Sequence, residues 1–285
     1  MINYNGGRDV IDCLESIGND AVSEVVVVDN ASTDGSADLI ACERPEVRMI
    51  RNPSNRGFAA AANQAIRVTS SDVVVLINPD STVRAGAIAA LEEALRSRPR
   101  AAVVAPLVLN PDGSVQPTKR AFPSLWQSAL HGLVGLFWPD NPGTRAYTLT
   151  DTSLSEARTV GWVAATAVAL RREAFEAVAG FDERFYFFVE DVDLCKRFWD
   201  EGWEVWFEPR AVVVHEWGGS WTQRPIKFIW LHHVNLFRYV LKHRRGPWIL
   251  AYPLIVAGLL ARFTLLALRW LITRRSVPKH RTAVS

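Results

Sequence analysis

Two β-branched runs, Val25-Val26-Val27-Val28 and Val73-Val74-Val75-Leu76-Ile77, set the frame into which the rest of this chain must fit. Continuous apolar runs of this kind suit strands covered on both faces, as in a parallel sheet, whereas a strand with one wet face alternates. Around them lie helical patterns over residues 8–17, 36–42, 57–68 and 85–97, the last stopping before Pro99, and residues 101–105 read as a further strand. Strand and helix in alternation predict an α/β fold with a doubly wound, mostly parallel sheet. Ligands on such a sheet lie at the carboxyl ends of its strands.

Those ends carry polar clusters. The first strand stub runs into Asn3, Tyr4 and Asn5, and the second into Asp29, Asn30, Ala31, Ser32, Thr33 and Asp34. Asn52, Asn55, Arg56 and Gly57 follow the third, and Asn78, Pro79 and Asp80 the fourth. Turn chemistry alone explains any one of these, but four along one edge point to a ligand site. A first strand this short suggests that the true start lies upstream, because a buried strand usually needs about 5–6 residues.

The second half is less regular. Residues 110–158 are rich in Pro, Gly and Ser, interrupted by an apolar ridge (Leu125, Trp126, Ala129, Leu130, Leu133, Val134, Phe137) spaced for one helix face. A strand-like stretch over residues 160–170 and a helix over 172–178 lead through Gly180-Phe181-Asp182 to Phe-Tyr-Phe-Phe-Val-Glu-Asp-Val-Asp at 185–193. Acids are expected in a helical first turn. Three of them behind an aromatic wall call for more, because a carboxylate kept from water has its pKa raised toward the range of a general base. Asp191 and Asp193 stand about 200° apart around a helix, so one can face a cleft while the other pairs with Arg197. Residues 204–207 and 211–214 read as a final strand pair closing on His215.

Charge and cysteine usage narrow the class. The net charge of +2 hides a basic tail: Lys242, Arg244, Arg245, Arg262, Arg269, Arg274, Arg275, Lys279 and Arg281 come with no acid after Lys242, so the body is net acidic. That argues against nucleic acid as a partner and for a membrane surface. Cys13, Cys42 and Cys195 have no Cys-x-x-Cys spacing, which fits a reducing compartment, and the start carries no signal-peptide pattern. Residues 248–261 are free of charge and followed by Arg262 and Arg269 on one helix face, with Pro253 placed to kink the segment. An Arg at mid-membrane costs roughly 2.5–3.5 kcal/mol on insertion scales, so the tail is expected to lie in the interface or re-enter rather than span. The expected location is the cytoplasmic face of the cell membrane.

The ordered motifs resemble glycosyltransferase family 2, in its bacterial rhamnosyltransferase-like branch. They are Val26-Val27-Val28-Asp29-Asn30-Ala31-Ser32-Thr33-Asp34-Gly35-Ser36, Asn55-Arg56-Gly57-Phe58-Ala59 with Asn63, and Asn78-Pro79-Asp80. Gly180-Phe181-Asp182-Glu183, Glu190-Asp191-Val192-Asp193-Leu194 with Arg197, and His215 with Gly218-Gly219-Ser220 complete the set. The resemblance implies a GT-A domain over residues 1–222, with a nucleotide-sugar half at 1–105 and an acceptor and catalytic half at 106–222, then a helical membrane-associating region at 223–285.

It also implies roles. Tyr4, Asn5, Asp29, Asn30, Asn55, Arg56, Asn78 and Asp80 would hold a dTDP- or UDP-type sugar donor, with Tyr4 against the base and Asp29 accepting from it. Asn78-Pro79-Asp80 stands in place of an Asp-x-Asp motif, leaving Asp80, with His215, to hold Mg²⁺ or Mn²⁺. Asp191 would be the base and Glu190 its neighbour on the acceptor side, with Gly161 and Trp162, toward a polyprenyl-linked or other glycan. One displacement would invert the anomeric carbon, and the absence of Gln-x-x-Arg-Trp, for which Gln223-Arg224-Pro225 is a poor match, implies a single addition. A nucleotidyltransferase of related fold, or a non-catalytic sugar-nucleotide-binding subunit, are the alternatives. The poor phosphate loop Asn5-Gly6-Gly7-Arg8 weighs against the first, and intact Asp29, Asp80 and Asp191 against the second.

Overall fold

A computed structural model of the chain describes residues 1–18, 22–122, 124–216, 225–244 and 246–276. Strands β1 (Ile2–Asn3), β2 (Val26–Asp29) and β3 (Arg48–Arg51) pair in parallel. They are linked by helices α1 (Asp9–Ile17) and α2 (Ser36–Glu43), and α3 (Phe58–Arg67) leads on to β4 (Val73–Ile77). The larger sheet runs β4, β10 (Ala167–Arg171), β6 (Ala101–Leu109), β11 (Glu204–His215), β5 (Ser81–Val83), with β8 (Arg158–Thr159) also on β11. Within it β6 and β11 are parallel, while β10 lies antiparallel between β4 and β6. A two-stranded ribbon joins β7 (Lys119–Arg120) to β9 (Trp162–Val163).

Alternate residues of one strand feed two cores, which is why the strands read as unbroken apolar runs. Val26, Val28, Leu76 and Val103 pack with α3, α7 (Arg172–Ala177) and α8 (Glu190–Asp200). Val27, Ile77 and Val104 pack with α1, α2 and α4 (Ala87–Arg96) on the other face. The doubly wound layering follows. The Val73–Ile77 run nonetheless takes β10 as an antiparallel neighbour. Two-sided burial selects β-branched residues, and it does so whichever way the neighbour runs.

Three segments differ from their sequence patterns. The expected final strand pair is one strand, β11, whose register on β6 shifts between Glu208 and Val212, so the Pro209-Arg210 break is absorbed as an irregularity. The ridge at 125–137 is not one helix: α5 (Leu125–Gly132) ends at a glycine and a one-turn 3₁₀ segment (Val134–Leu136) follows. Inside the loose stretch, α6 (Pro142–Thr148) forms because Asn141 accepts from Thr144 N–H at 3.0 Å and Pro142 occupies the first turn.

Helix α9 (Pro225–His243) packs against the acidic helix α8 and the loop before it. That loop is strained. Phe188 and Val189 have φ of 69° and 73°, and a β-branched residue there is an outlier costing of order 1–3 kcal/mol. Buried Asn235 of α9 offsets this by donating to the carbonyls of Phe187 and Phe188 at 2.9 and 3.2 Å. One helical turn on, fully buried Asp193 accepts from Arg197 Nε at 2.8 Å, Lys242 Nζ at 2.7 Å and His243 Nε2 at 2.7 Å. Helix α10 (Tyr252–Ser276) is continuous, with Pro253 in its first turn, where proline is tolerated, so the expected kink is absent.

Burial raises the Asp193 carboxyl, but His243, Arg197 and Lys242 outweigh it and hold the pKa below its ordinary value. Its stabilising effect is therefore present above about pH 4 and lost as the pH falls through the folded value. Asp193→Asn should cost about 3 kcal/mol at pH 7, since it leaves the Arg197 guanidinium without its carboxylate and Lys242 with Asp182 alone. Urea melts at pH 7 and at pH 3 check this: the gap between variant and wild type should narrow at the acid end.

Candidate active site

The donor edge is a lattice of side chains holding loops rather than pointing outward. Asn3 Nδ2 donates to Asp29 Oδ1 at 2.8 Å and Ser36 Oγ at 2.9 Å, and Asp29 Oδ2 accepts from Ser32 N–H at 3.1 Å. Asn5, with φ of 54°, accepts from Thr33 N–H at 2.8 Å. Asn30 is the hub: its amide donates to Asn55 Oδ1 at 3.0 Å and Gly57 O at 3.1 Å, while its oxygen accepts from Asn52 Nδ2 and Arg56 N–H. Gly57 has φ of 82°, and a Cβ there would run into the Tyr186 carbonyl, to which Phe58 N–H donates at 2.8 Å. The donor loop therefore touches the aromatic run that precedes Glu190. Tyr4 and the Arg56 side chain remain exposed at the rim. Buried Asn63 bonds both N–H and C=O of Phe181 at 2.9 Å, a supporting position.

Asp80 and His215 meet at 3.2 Å between Oδ1 and Nε2, at the facing ends of the β4–β5 turn and β11. Buried Gln116 decides which imidazole nitrogen carries hydrogen. Its Nε2 donates to His215 O at 2.6 Å and Asn110 Oδ1 at 2.8 Å, so its Oε1 must be the atom that accepts from His215 Nδ1 at 3.0 Å. The nitrogen facing Asp80 then carries a lone pair, and this pairing needs a proton or a cation between the two groups. Such a carboxylate–imidazole set, oriented from behind by an amide, fits a divalent ion. Among the described residues no cluster of three or more His, Cys, Asp or Glu ligands is present. An ion here would keep waters and share oxygens of a diphosphate, as Mg²⁺ does.

The acids at the start of α8 form the second cluster. Glu190 is buried, one of its oxygens has no hydrogen-bond partner, and desolvation with the neighbouring Asp191 charge drives its pKa well up. Asp191 sits deep but keeps some accessible surface. Desolvation pushes it up to about 6, against the opposing pull of the Val192 and Ala165 N–H groups and of Arg120. Arg120 lies over the rings of Tyr147 at 5.2 Å and Trp162 at 5.5 Å, and Trp199 Nε1 donates to Gly161 O at 2.9 Å. One loop joins the clusters: Thr166 O accepts from Asn78 N–H at 2.8 Å while the adjacent Ala165 amide holds Asp191.

Trp162 and Asp191 are thus joined through Arg120 and Gly161 is tied to α8 through Trp199, while Asp80 meets His215, and Asn5, Asp29, Asn30, Asn55 and Arg56 stand along one strand edge with Tyr4 beside them. Gly218-Gly219-Ser220 and Gln223-Arg224 lie outside the described residues. Sequence reasoning missed Gln116, Arg120 and Tyr147, which stand in the irregular segment where no periodicity flags them, and Tyr186, read only as part of an aromatic wall. Burial raises the Tyr186 phenol, with Tyr4 close enough to add to the effect.

Residues 1–178 match a family model described as glycosyl transferase family 2. Over 244 residues, 82% of this chain and 79% of the relative, the chain is 35% identical to an N-acetylglucosaminyl-diphospho-decaprenol L-rhamnosyltransferase of Mycobacterium tuberculosis. It is 28% identical over 215 residues to the pre-mycofactocin glycosyltransferase of the same organism, covering 75% of this chain and 40% of that one. Among solved structures, a mannosyltransferase from Pyrobaculum calidifontis in complex with GDP-Man and Mn²⁺ gives a TM-score of 0.59 at 19% identity, over 93% of this chain and 73% of that one. GalNAc-T7 with UDP, GalNAc and Mn²⁺ gives 0.57 at 16%, over 77% and 42%. Likeness at these identities establishes the fold, which is GT-A.

A carboxylate whose folded pKa lies above its unfolded value of about 3.9 opposes folding once the pH passes both. Asp191→Asn should therefore melt about 3 °C or more above wild type at pH 7, with the advantage fading as the pH falls toward 4. Differential scanning calorimetry across that range checks the sign. A variant that melts below wild type at pH 7 would show that Asp191 is not held against its ionisation.

Proposed function

This chain belongs to glycosyl transferase family 2 and is a glycosyltransferase, and from that premise we propose that it adds a single sugar with inversion. The donor is a nucleoside-diphosphate sugar, dTDP-rhamnose, and the acceptor a polyprenyl-diphosphate-linked glycan carrying N-acetylglucosamine. The rhamnosyltransferase relative, named for an N-acetylglucosaminyl-diphospho-decaprenol acceptor, supports rhamnose as the sugar and this class of acceptor. The observation that carries the reading is Asp191: a carboxylate with a raised pKa, at a helix start, within reach of Arg120, which lies over the rings of Tyr147 and Trp162.

In this reading Asp191 removes the proton from the acceptor hydroxyl as that oxygen attacks the anomeric carbon opposite the leaving nucleoside diphosphate. Asp191 must be ionised to act, and burial places its transition near neutrality, where a base is both available and strong enough. Glu190, whose carboxyl burial and the Asp191 charge push up, stands beside the base on the acceptor side. Tyr4 and Tyr186 flank the nucleobase, with the Asp29 carboxylate accepting from its ring N–H. Arg56 reaches the donor at the rim, and Asn5, Asn30, Asn55 and Asn78 hold the loops around it. Mg²⁺ or Mn²⁺ held by Asp80 and His215 supplies, when bound, positive charge against the departing diphosphate. Helix α10 is apolar and long enough to cross a membrane by length and composition, with mean hydropathy 2.0 and its apolar window unburied. It serves as the membrane-associating element on the cytoplasmic face, and nucleic acid plays no part.

A donor screen reading nucleoside diphosphate release, with lipid-linked N-acetylglucosamine as acceptor, tests this directly. Turnover should be highest with dTDP-rhamnose and fall on the acid side of about pH 6. Asp191→Asn should lose about 10²- to 10⁴-fold in kcat with donor affinity nearly unchanged. Retention of more than about a tenth of wild-type turnover, with Glu190→Gln dead, would move the base to Glu190.

Metal dependence is tested separately. Chelation should abolish transfer, and Mg²⁺ or Mn²⁺ should restore it. Full activity of Asp80→Ala in chelator would leave the cation without a role.

A further inference from the structure

Arg262 of α10 turns into the protein, not toward the helix's apolar surface. Its Nη1 meets His233 Nε2 at 3.2 Å, and His233 Nδ1 is committed to Ile229 O at 2.7 Å, so the imidazole accepts from the guanidinium and orients it. The Cδ and Nε of Arg262 lie 3.6 and 3.8 Å from the place where a Cβ on Gly132 would stand, so α5 leaves room for it. Its Nε is buried without a hydrogen-bond partner, and among the described residues no carboxylate pairs with it. A buried guanidinium lacking a counter-ion is costly unless an anion arrives.

Apart from Asp191, the charged groups that act on this patch are cations. Burial, then Arg120 and Arg262, hold His131 down to about 4, and burial, then Arg262 and its fellow histidines, hold His232 to about 3. His131 contacts the Tyr147 ring at 4.7 Å, and Arg120 lies over the same ring at 5.2 Å. Burial raises the Tyr147 phenol, with Arg120, Asp191 and Arg262 all near enough to act on it. Two guanidiniums thus act on one aromatic patch beside Asp191, one of them delivered by the helix that also exposes Leu254, Leu260, Leu265, Leu268 and Leu271.

We propose that Arg262, oriented by His233 and joined by Arg120, binds the diphosphate of a lipid-linked acceptor, so that α10 supplies both the lipid contact and the anion-binding fork. A planar guanidinium with unused donors matches phosphate oxygens in bidentate fashion, and a dianion calls for more than one cation. The sugar beyond that diphosphate would then reach Asp191 across Tyr147 and Trp162. This rests on the transferase reading above but needs no donor to be tested.

The test uses the full chain in neutral detergent micelles with farnesyl diphosphate as probe, and farnesol, inorganic pyrophosphate and phosphatidylglycerol vesicles as comparisons, read by calorimetry. Wild type should bind farnesyl diphosphate more tightly than farnesol or pyrophosphate. Arg262→Gln should weaken it about 10- to 100-fold, and Arg262→Lys, which keeps charge and loses the fork, less. Nucleoside diphosphate binding should be unchanged in both, which shows that the fold and donor site survive. Equal affinity of Arg262→Gln and wild type for farnesyl diphosphate would overturn the assignment. So would pyrophosphate binding as tightly as the prenyl form, or loss confined to phosphatidylglycerol vesicles. The transferase reading fails on a different result, the absence of diphosphate release with every donor.

Discussion

A carboxylate denied water at the start of α8 is the constraint on which the rest of the structure depends. Asp191 can be a base near neutrality only if its surroundings withhold solvent while leaving a path for a substrate hydroxyl. The chain achieves this with a backbone that is itself unfavourable: consecutive left-handed residues at Phe188 and Val189, directly before the acid pair. Strain of this kind persists only where neighbours over-determine it. Asn235 does so from the C-terminal side, by bonds to the carbonyls of Phe187 and Phe188. Gly57 and Phe58 do so from the donor side, by close approach to Tyr186.

The same economy of contacts couples the parts of the site. Asn30 spends its whole amide on the loop that carries Asn55, Arg56 and Gly57, so the donor edge and the loop before Glu190 move together or not at all. The turn at Ala165 and Thr166 binds Asp191 with one amide and the Asn78 amide with the next carbonyl. A change in either donor loop should therefore be felt at the acids without any direct contact.

The C-terminal helices are more than an appendage. Asp193, on the face of α8 turned away from the cleft, gathers Arg197 from its own helix and Lys242 and His243 from α9. Asp182 is likewise held well below the usual carboxylate range, chiefly by Arg184 and also by Lys242. Through these pairs α9 is a wall of the catalytic half, and α10 follows it with Arg262 aimed inward. The inward turn also removes the argument that Arg262 would face lipid. Its guanidinium meets His233 and α5 instead.

Much of this was legible in the residues alone. Alternating β-branched runs and helical periods specify an α/β chain, because burial on both faces leaves a composition that short-range patterning reveals. The positions of Asp29, Asp80, Asp191 and His215 at strand and helix ends were likewise visible, as was the divergence of Asp191 and Asp193 around a helix. Strand direction was not, because β-branched composition reports burial and not the sense of the neighbour. Nor were Gln116, Arg120 and Tyr147, which lie far from the acids in sequence and in segments without period, nor the inward direction of Arg262, which the sequence placed only on a helix face. Only tertiary packing brings them within reach. It alone decides which carboxylate is desolvated and raised in pKa and which is paired with cations and held down.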